Sequence, residues 1–168
     1  MSNPSVMLGG VPIVLHAGSS DQSVSPLGGS GLVRLSQGKG VKMTHWSKAS
    51  GSISSSDGWM PPGLSGLDFT QALELRLTKP MCITGTGLVV TLKGEPRPDV
   101  APWVLAHVNG NWRPAPSSYS AGDVTITPVA GADLYATYWM PVYSVFISEP
   151  PESMGAGVYG WTINWEEA

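Results

Sequence analysis

The 168-residue chain carries 9 Lys and Arg against 12 Asp and Glu, a formal charge of −3, and only 12% of its residues are charged. An ordinary soluble domain is about one-quarter charged, and this sparse, net-acidic balance excludes a general nucleic-acid binder, whose affinity rests on clustered cations. The length suits one domain, or one domain with a long arm, and the single cysteine, Cys82, permits no internal disulfide.

The low charge and the seven tryptophans predict a surface that is partly hidden against partners, because interface cores lose Lys, Glu and Asp and gain aromatics. The charge is also uneven. All Lys and Arg lie at or before Arg113, giving +3 to that point, and residues 114–168 then hold six acids and no cation, a distribution able to steer head-to-tail packing of like subunits. The opening MSNPSVMLGG lacks the basic start and apolar stretch of a secretory signal, and no run approaches ~18 apolar residues. Synthesis in a reducing cytoplasm and no membrane span are expected.

In chain order, residues 1–70 read as an extended, loop-rich assembly arm with short strands. VPIVLHA (11–17) is a compact apolar run, and Gly38 and Gly40 within GLVRLSQGKGVKMTHW (31–46) predict a turn between two short strands. SGSISSSDGWMPPGLSG (50–66) reads as a long loop, because Pro61 and Pro62 lack donors and Gly and Ser favour turns. Its embedded Ile53, Trp59, Met60, Leu64 and nearby Leu67 argue against disorder. With Trp46, these residues are the predicted assembly contacts.

From about Gln71 the chain alternates like half-buried sheet. In ALELRLT, Leu73, Leu75 and Leu77 share a face, and MCITGTGLVVTLKG supplies another strand or two. WVLAHVNGNWRPA (103–115) sets Asn109-Gly110 between alternating arms, the signature of a type I′ hairpin. A strand, a turn at Gly131 and an aromatic strand follow, with Pro141 confined to an edge or bulge. GVYGWTINWEE closes the chain with Trp161, Ile163 and Trp165 alternating. Trp103, Trp139 and one of Trp161 and Trp165 are expected in the core. The pattern predicts an all-β fold, an antiparallel sandwich or barrel-like domain over residues 71–168 behind the Gly/Ser/Pro-rich arm.

Chemistry is poorly supported. His16, His45 and His107 stand at no metal-ligand spacing. His45, the neighbouring serines, Asp57 and Asp68 are the only triad ingredients, and no G-x-S-x-G elbow accompanies them. GGSG at 28–31 lacks a following Gly-Lys-Ser/Thr and reads as a turn. No catalytic residue, cofactor or metal is therefore expected. The tryptophans and tyrosines admit a second reading, a sugar-stacking platform.

RLSQGKGVKMTHWSKASGSIS, GWMPPGLSGLDFTQALELRLTKP, PWVLAHVNGNWRPAP and VTITPVAGADLYATYWMPVYSVF together resemble small structural proteins encoded in the tail gene clusters of tailed bacteriophages that infect Gram-negative bacteria. The resemblance spans roughly residues 34–146 and lies in overall texture. It implies a virion subunit of the baseplate or tube end, assembled in the host cytoplasm as a homo-oligomeric ring docked to other virion proteins. A DNA-conducting lumen is compatible with it, but specific nucleic-acid recognition is not implied. The alternative is a carbohydrate-binding, receptor-recognition module.

Overall fold

The computed structural model describes residues 4–14, 16–155 and 157–168. Among them the regular structure is strand, apart from one 3-10 turn at Leu64–Gly66, and there is no α-helix. In chain order the strands are β1 (Met7–Leu8), β2 (Val11–Pro12), β3 (Asp21–Arg34), β4 (Gly40–Ser55), β5 (Leu73–Arg76), β6 (Met81–Gly85), β7 (Val89–Thr91) and β8 (Glu95–Pro96). There follow β9 (Trp103–Val108), β10 (Asn111–Ala115), β11 (Ser117–Ser120), β12 (Asp123–Ile126), β13 (Ala132–Trp139), β14 (Pro141–Ile147), β15 (Glu152–Gly155) and β16 (Val158–Glu167). The assigned pairings are antiparallel, so the all-β expectation holds.

Two compact units divide the chain. One joins the residues up to Gly10 with Glu74–Tyr143, and the other joins Val11–Leu73 with Ser144–Ala168. This differs from a boundary at residues 70 and 71. The physical reason is β16, whose apolar face is completed by β4 from the N-terminal half.

In the first unit, Asn109 and Gly110 take φ of 50° and 79°, the pair of positive angles that a type I′ turn needs. They join β9 to β10 with Asn111 opposite Val108. Sheet order is β10-β9-β13-β6, and a second sheet runs β11-β12-β7. Val104, Ala106 and Val108 alternate inward from β9 and join Tyr135 and Trp139 of β13 and Val124 and Ile126 of β12 in one buried cluster. Trp103 points to the other face, half-buried, and stacks on Tyr138 at 5.6 Å and 7°. Its expected core position is thus corrected, since the alternation that buries Val104 turns residue 103 outward. Leu75 and Leu77 are fully buried, as the alternation of ALELRLT predicts.

In the second unit, strand order is β14-β16-β4-β3, with β15 also on β16. Trp161, Ile163 and Trp165 are buried along one face of β16, opposite Ser55, Ile53 and Gly51 of β4. Burying an indole removes about 150–250 Å² from water, an upper estimate of about 4–6 kcal/mol each. The bulk is accommodated because the facing strand is small. A Cβ on Gly51 would lie 2.8 Å from Trp165 and 2.0 Å from the Ser23 carbonyl oxygen. Residues 50–55, expected to begin a loop, are therefore the centre of a sheet, and the two short strands expected around Gly38 are a hairpin of 14- and 16-residue strands. Of the run at 11–17, only Val11–Pro12 is strand and Leu15 lies outside the described residues.

Candidate assembly surface

The β3/β4 hairpin changes character along its length. From Asp21 to Gly29 it is part of the sheet. At His45 the register shifts, with Gly29 opposite Trp46 and Ser30 opposite Thr44, so His45 is the extra residue of a bulge that bends and twists the ribbon. β16 flanks β4 only from Ser50 to Ser55, and every residue from 31 to 48 is exposed. The tip is closed by Leu35 N–H donating to Lys39 O at 3.0 Å and Gly38 N–H to Leu35 O at 2.8 Å.

This outer hairpin is amphipathic. Val33 lies opposite Val41 and Gly31 opposite Met43. Strand alternation adds Leu35 to the same face. Leu32 and Arg34 share the reverse face with Lys42, which pairs with Leu32. Leu35 and Met43 are about half exposed, at 53% and 49%, so among the described residues the apolar face is open to solvent. A two-stranded ribbon alone is marginal in water, and an unshielded apolar face adds to its cost.

Trp59 is the second exposed feature, 52% accessible yet held by its backbone. Its N–H donates to His16 O at 2.7 Å. Asp57 Oδ1 accepts from Ser19 N–H at 3.0 Å and from Ser55 Oγ at 2.6 Å, and these bonds, the Ser55 hydroxyl foremost, hold its carboxyl below the usual range. The two segments touch so closely that a Cβ on Gly58 would lie 2.1 Å from the Ala17 carbonyl carbon, and one on Gly18 2.1 Å from Asp57 Oδ1. Trp161 Nε1 donates to Ala17 O at 3.0 Å from beneath. The indole of Trp59 stands edge-on to Tyr159 at 5.3 Å and beside the His16 ring at 5.3 Å. With Met60, Pro61, Pro62 and Tyr159 it walls a cleft of about 440 Å³. Met60 and Ser65 continue it into a smaller depression that Leu64, Phe69 and Glu149 line.

The six predicted contact residues thus separate. Trp46 (49% exposed) and Trp59 are on the surface, Met60 and Leu67 are half-buried, and Ile53 and Leu64 are core at 0% and 2%. Ile53 sits opposite Ile163 and Leu64 begins the 3-10 turn, so neither is available to a partner while the chain is folded. Sequence reasoning missed Leu32, Val33, Leu35, Val41 and Met43. The alternation of Val33 and Leu35 with Val41 and Met43 across a Gly38 turn was the signal.

The triad ingredients do not meet as a catalytic group. Asp57 ties a turn, and Asp68 accepts from Thr70 N–H at 2.9 Å and Thr70 Oγ1 at 2.6 Å, which lowers its carboxyl in the same way. His45 stands on the exposed hairpin. His107 Nδ1 lies 2.7 Å from Asp133 Oδ1, in the first unit. Among the described residues no three His, Cys, Asp or Glu are grouped to hold a metal ion. A surface groove of about 590 Å³ is lined by Ser25, Ser50, Ser52 and Asn164 with Phe146 and Glu166 beside them, and it brings no His or Cys to those hydroxyls. Among the described residues no helix is long and apolar enough to cross a membrane.

No protein-family model matches the chain, and no curated protein matches it.

Proposed function

We propose that this protein is a structural subunit of a bacteriophage virion, at the tail baseplate or tube end, built into a homo-oligomeric ring and docked to other virion proteins. The observation that carries the reading is the outer β3/β4 hairpin, exposed over residues 31–48 with its apolar face uncovered. Such a face gains free energy when another chain shields it. The hairpin is the arm of the molecule, shorter than the loop-rich segment expected from sequence and built as a ribbon. The two sheets of the first unit that share one buried cluster support a small sandwich as its scaffold. The resemblance to tail-cluster proteins gives the virion its place in the proposal, and the hairpin supports assembly independently of it.

The test is to replace residues 30–45 by Asn-Gly, which joins the paired Gly29 and Trp46 through a turn suited to a hairpin. We expect the shortened chain to keep its unfolding midpoint but to remain monomeric by light scattering and absent from purified particles. The full-length chain forms defined oligomers, alone or with its virion neighbours. A full-length chain whose mass and incorporation match those of the shortened one would overturn the proposal. A carbohydrate-binding reading is favoured by one observation, the exposed Trp59 ring beside Tyr159, and glycan binding lost on Trp59→Ala by a persistently monomeric chain would select it instead.

A further inference from the structure

Unit by unit, the charges are not mixed. In the second unit every Lys and Arg, namely Arg34, Lys39, Lys42 and Lys48, lies on the hairpin, whereas its seven acids all lie outside residues 22–56. Among the described residues no Asp or Glu pairs with any of the four cations, and Arg34 and Lys48 donate to the carbonyl oxygens of Gly38 and Ala168. The hairpin therefore presents two unmet demands together, an apolar face and unpaired positive charge.

The Trp59 cleft is the complementary surface. Its walls are aromatic and prolyl. Its extension carries the exposed Glu149 carboxylate. Aromatic rings with nearby acids receive Lys and Arg by cation–π contact as well as by charge. The volume of about 440 Å³ suits the turn and its flanking side chains rather than a whole ribbon. Trp59 is already held by its N–H bond to His16 O and by ring contacts with His16 and Tyr159, which reduces the ordering cost when it binds.

Resting on the assembly reading above, we propose that the β3/β4 hairpin tip of one copy seats in the Trp59–Tyr159 cleft of the next. Val33, Leu35 and Val41 enter the cleft, and Arg34, Lys39 and Lys42 face Glu149 at its rim. Because the two surfaces differ, repeating the contact closes a ring or extends a filament.

The experiment uses the full chain in sedimentation velocity at low salt, with four variants: the shortened hairpin, Trp59→Ala, Glu149→Lys, and Lys39→Glu with Lys42→Glu. Trp59→Ala and each charge reversal are expected to weaken self-association at least about tenfold, as removal of a central aromatic or charged anchor does, with unchanged unfolding midpoints. Mixing Glu149→Lys with Lys39→Glu/Lys42→Glu is expected to restore association, since each reversed tip then meets a reversed rim and each native tip a native rim. If Trp59→Ala and the charge reversals associate like wild type while the shortened hairpin is monomeric, the hairpin docks elsewhere and this inference falls, with the assembly reading intact. If the charge reversals weaken association but the mixture fails to recover it, the pairing of tip with rim is overturned. A wild-type chain that stays monomeric and binds a glycan through Trp59 would overturn both.

Discussion

Arg97 shows how this chain spends one of its few charges. Its side chain is fully buried, and Nη1 donates to Ser5 O at 2.7 Å and Leu77 O at 3.2 Å while Nε and Nη2 reach the two Asp99 oxygens at 3.0 and 2.7 Å. One guanidinium thus satisfies backbone carbonyls from two separate segments, a geometry that Lys cannot copy. Arg97→Ala should cost about 2–4 kcal/mol, because two carbonyls lose their donor in a site closed to water, and denaturant unfolding would measure it. Asp99, 42% exposed, contributes less. The Arg97 hydrogen bonds hold its carboxyl below the usual range, so its contribution is complete above the unfolded value of about 3.9 and is lost as pH falls through the lower folded value. Asp99→Asn should therefore lower stability modestly near neutrality and make the decline below about pH 4 shallower, the two proteins converging once Asp99 is protonated, as an acid titration of the two proteins would show.

Between elements, the fit of β4 against its neighbours rests on residues that look like turn formers. Gly51 and Ser55 face Trp165 and Trp161, and their smallness is the space the indoles fill. Gly51→Ala should lower stability by about 1–3 kcal/mol through overpacking, whereas Gly31→Ala on the outer hairpin, with nothing within 4 Å of the added Cβ, should stay within about 0.5 kcal/mol. Thermal unfolding of the two variants checks the contrast. The same residues explain what was legible. Asn109-Gly110, the leucines of ALELRLT and the Trp161/Ile163/Trp165 alternation each carry their structure locally, and they appear as read. Residues 50–55 do not. Local propensity assigns Gly and Ser to loops, and only knowledge that a tryptophan-bearing strand lies opposite converts them into a strand. The candidate surface divides likewise: Trp46 and Trp59 are where an exposed loop residue would be, while Ile53 and Leu64 were drawn into the core by partners distant in sequence.

At the scale of the whole molecule, the net charge of −3 conceals its arrangement. The first unit balances five cations with five acids, and the second holds four cations, all on the hairpin, against seven acids, of which only Asp21 is on the hairpin, at its base. If copies meet tip to rim, the long-range part of their attraction is electrostatic and the short-range part apolar, and the two respond oppositely to salt. The Debye length falls from about 10 Å at 0.1 M to about 3 Å at 1 M, which removes steering before contact but leaves apolar burial intact. Self-association rates should therefore drop by at least about tenfold across that range, while dissociation rates change by much less. Stopped-flow light scattering at several salt concentrations separates the two rates. Equal slowing of both, or a rate of association indifferent to salt, would mean that the segregated charges take no part in bringing copies together, and the apolar hairpin face would then have to account for assembly alone.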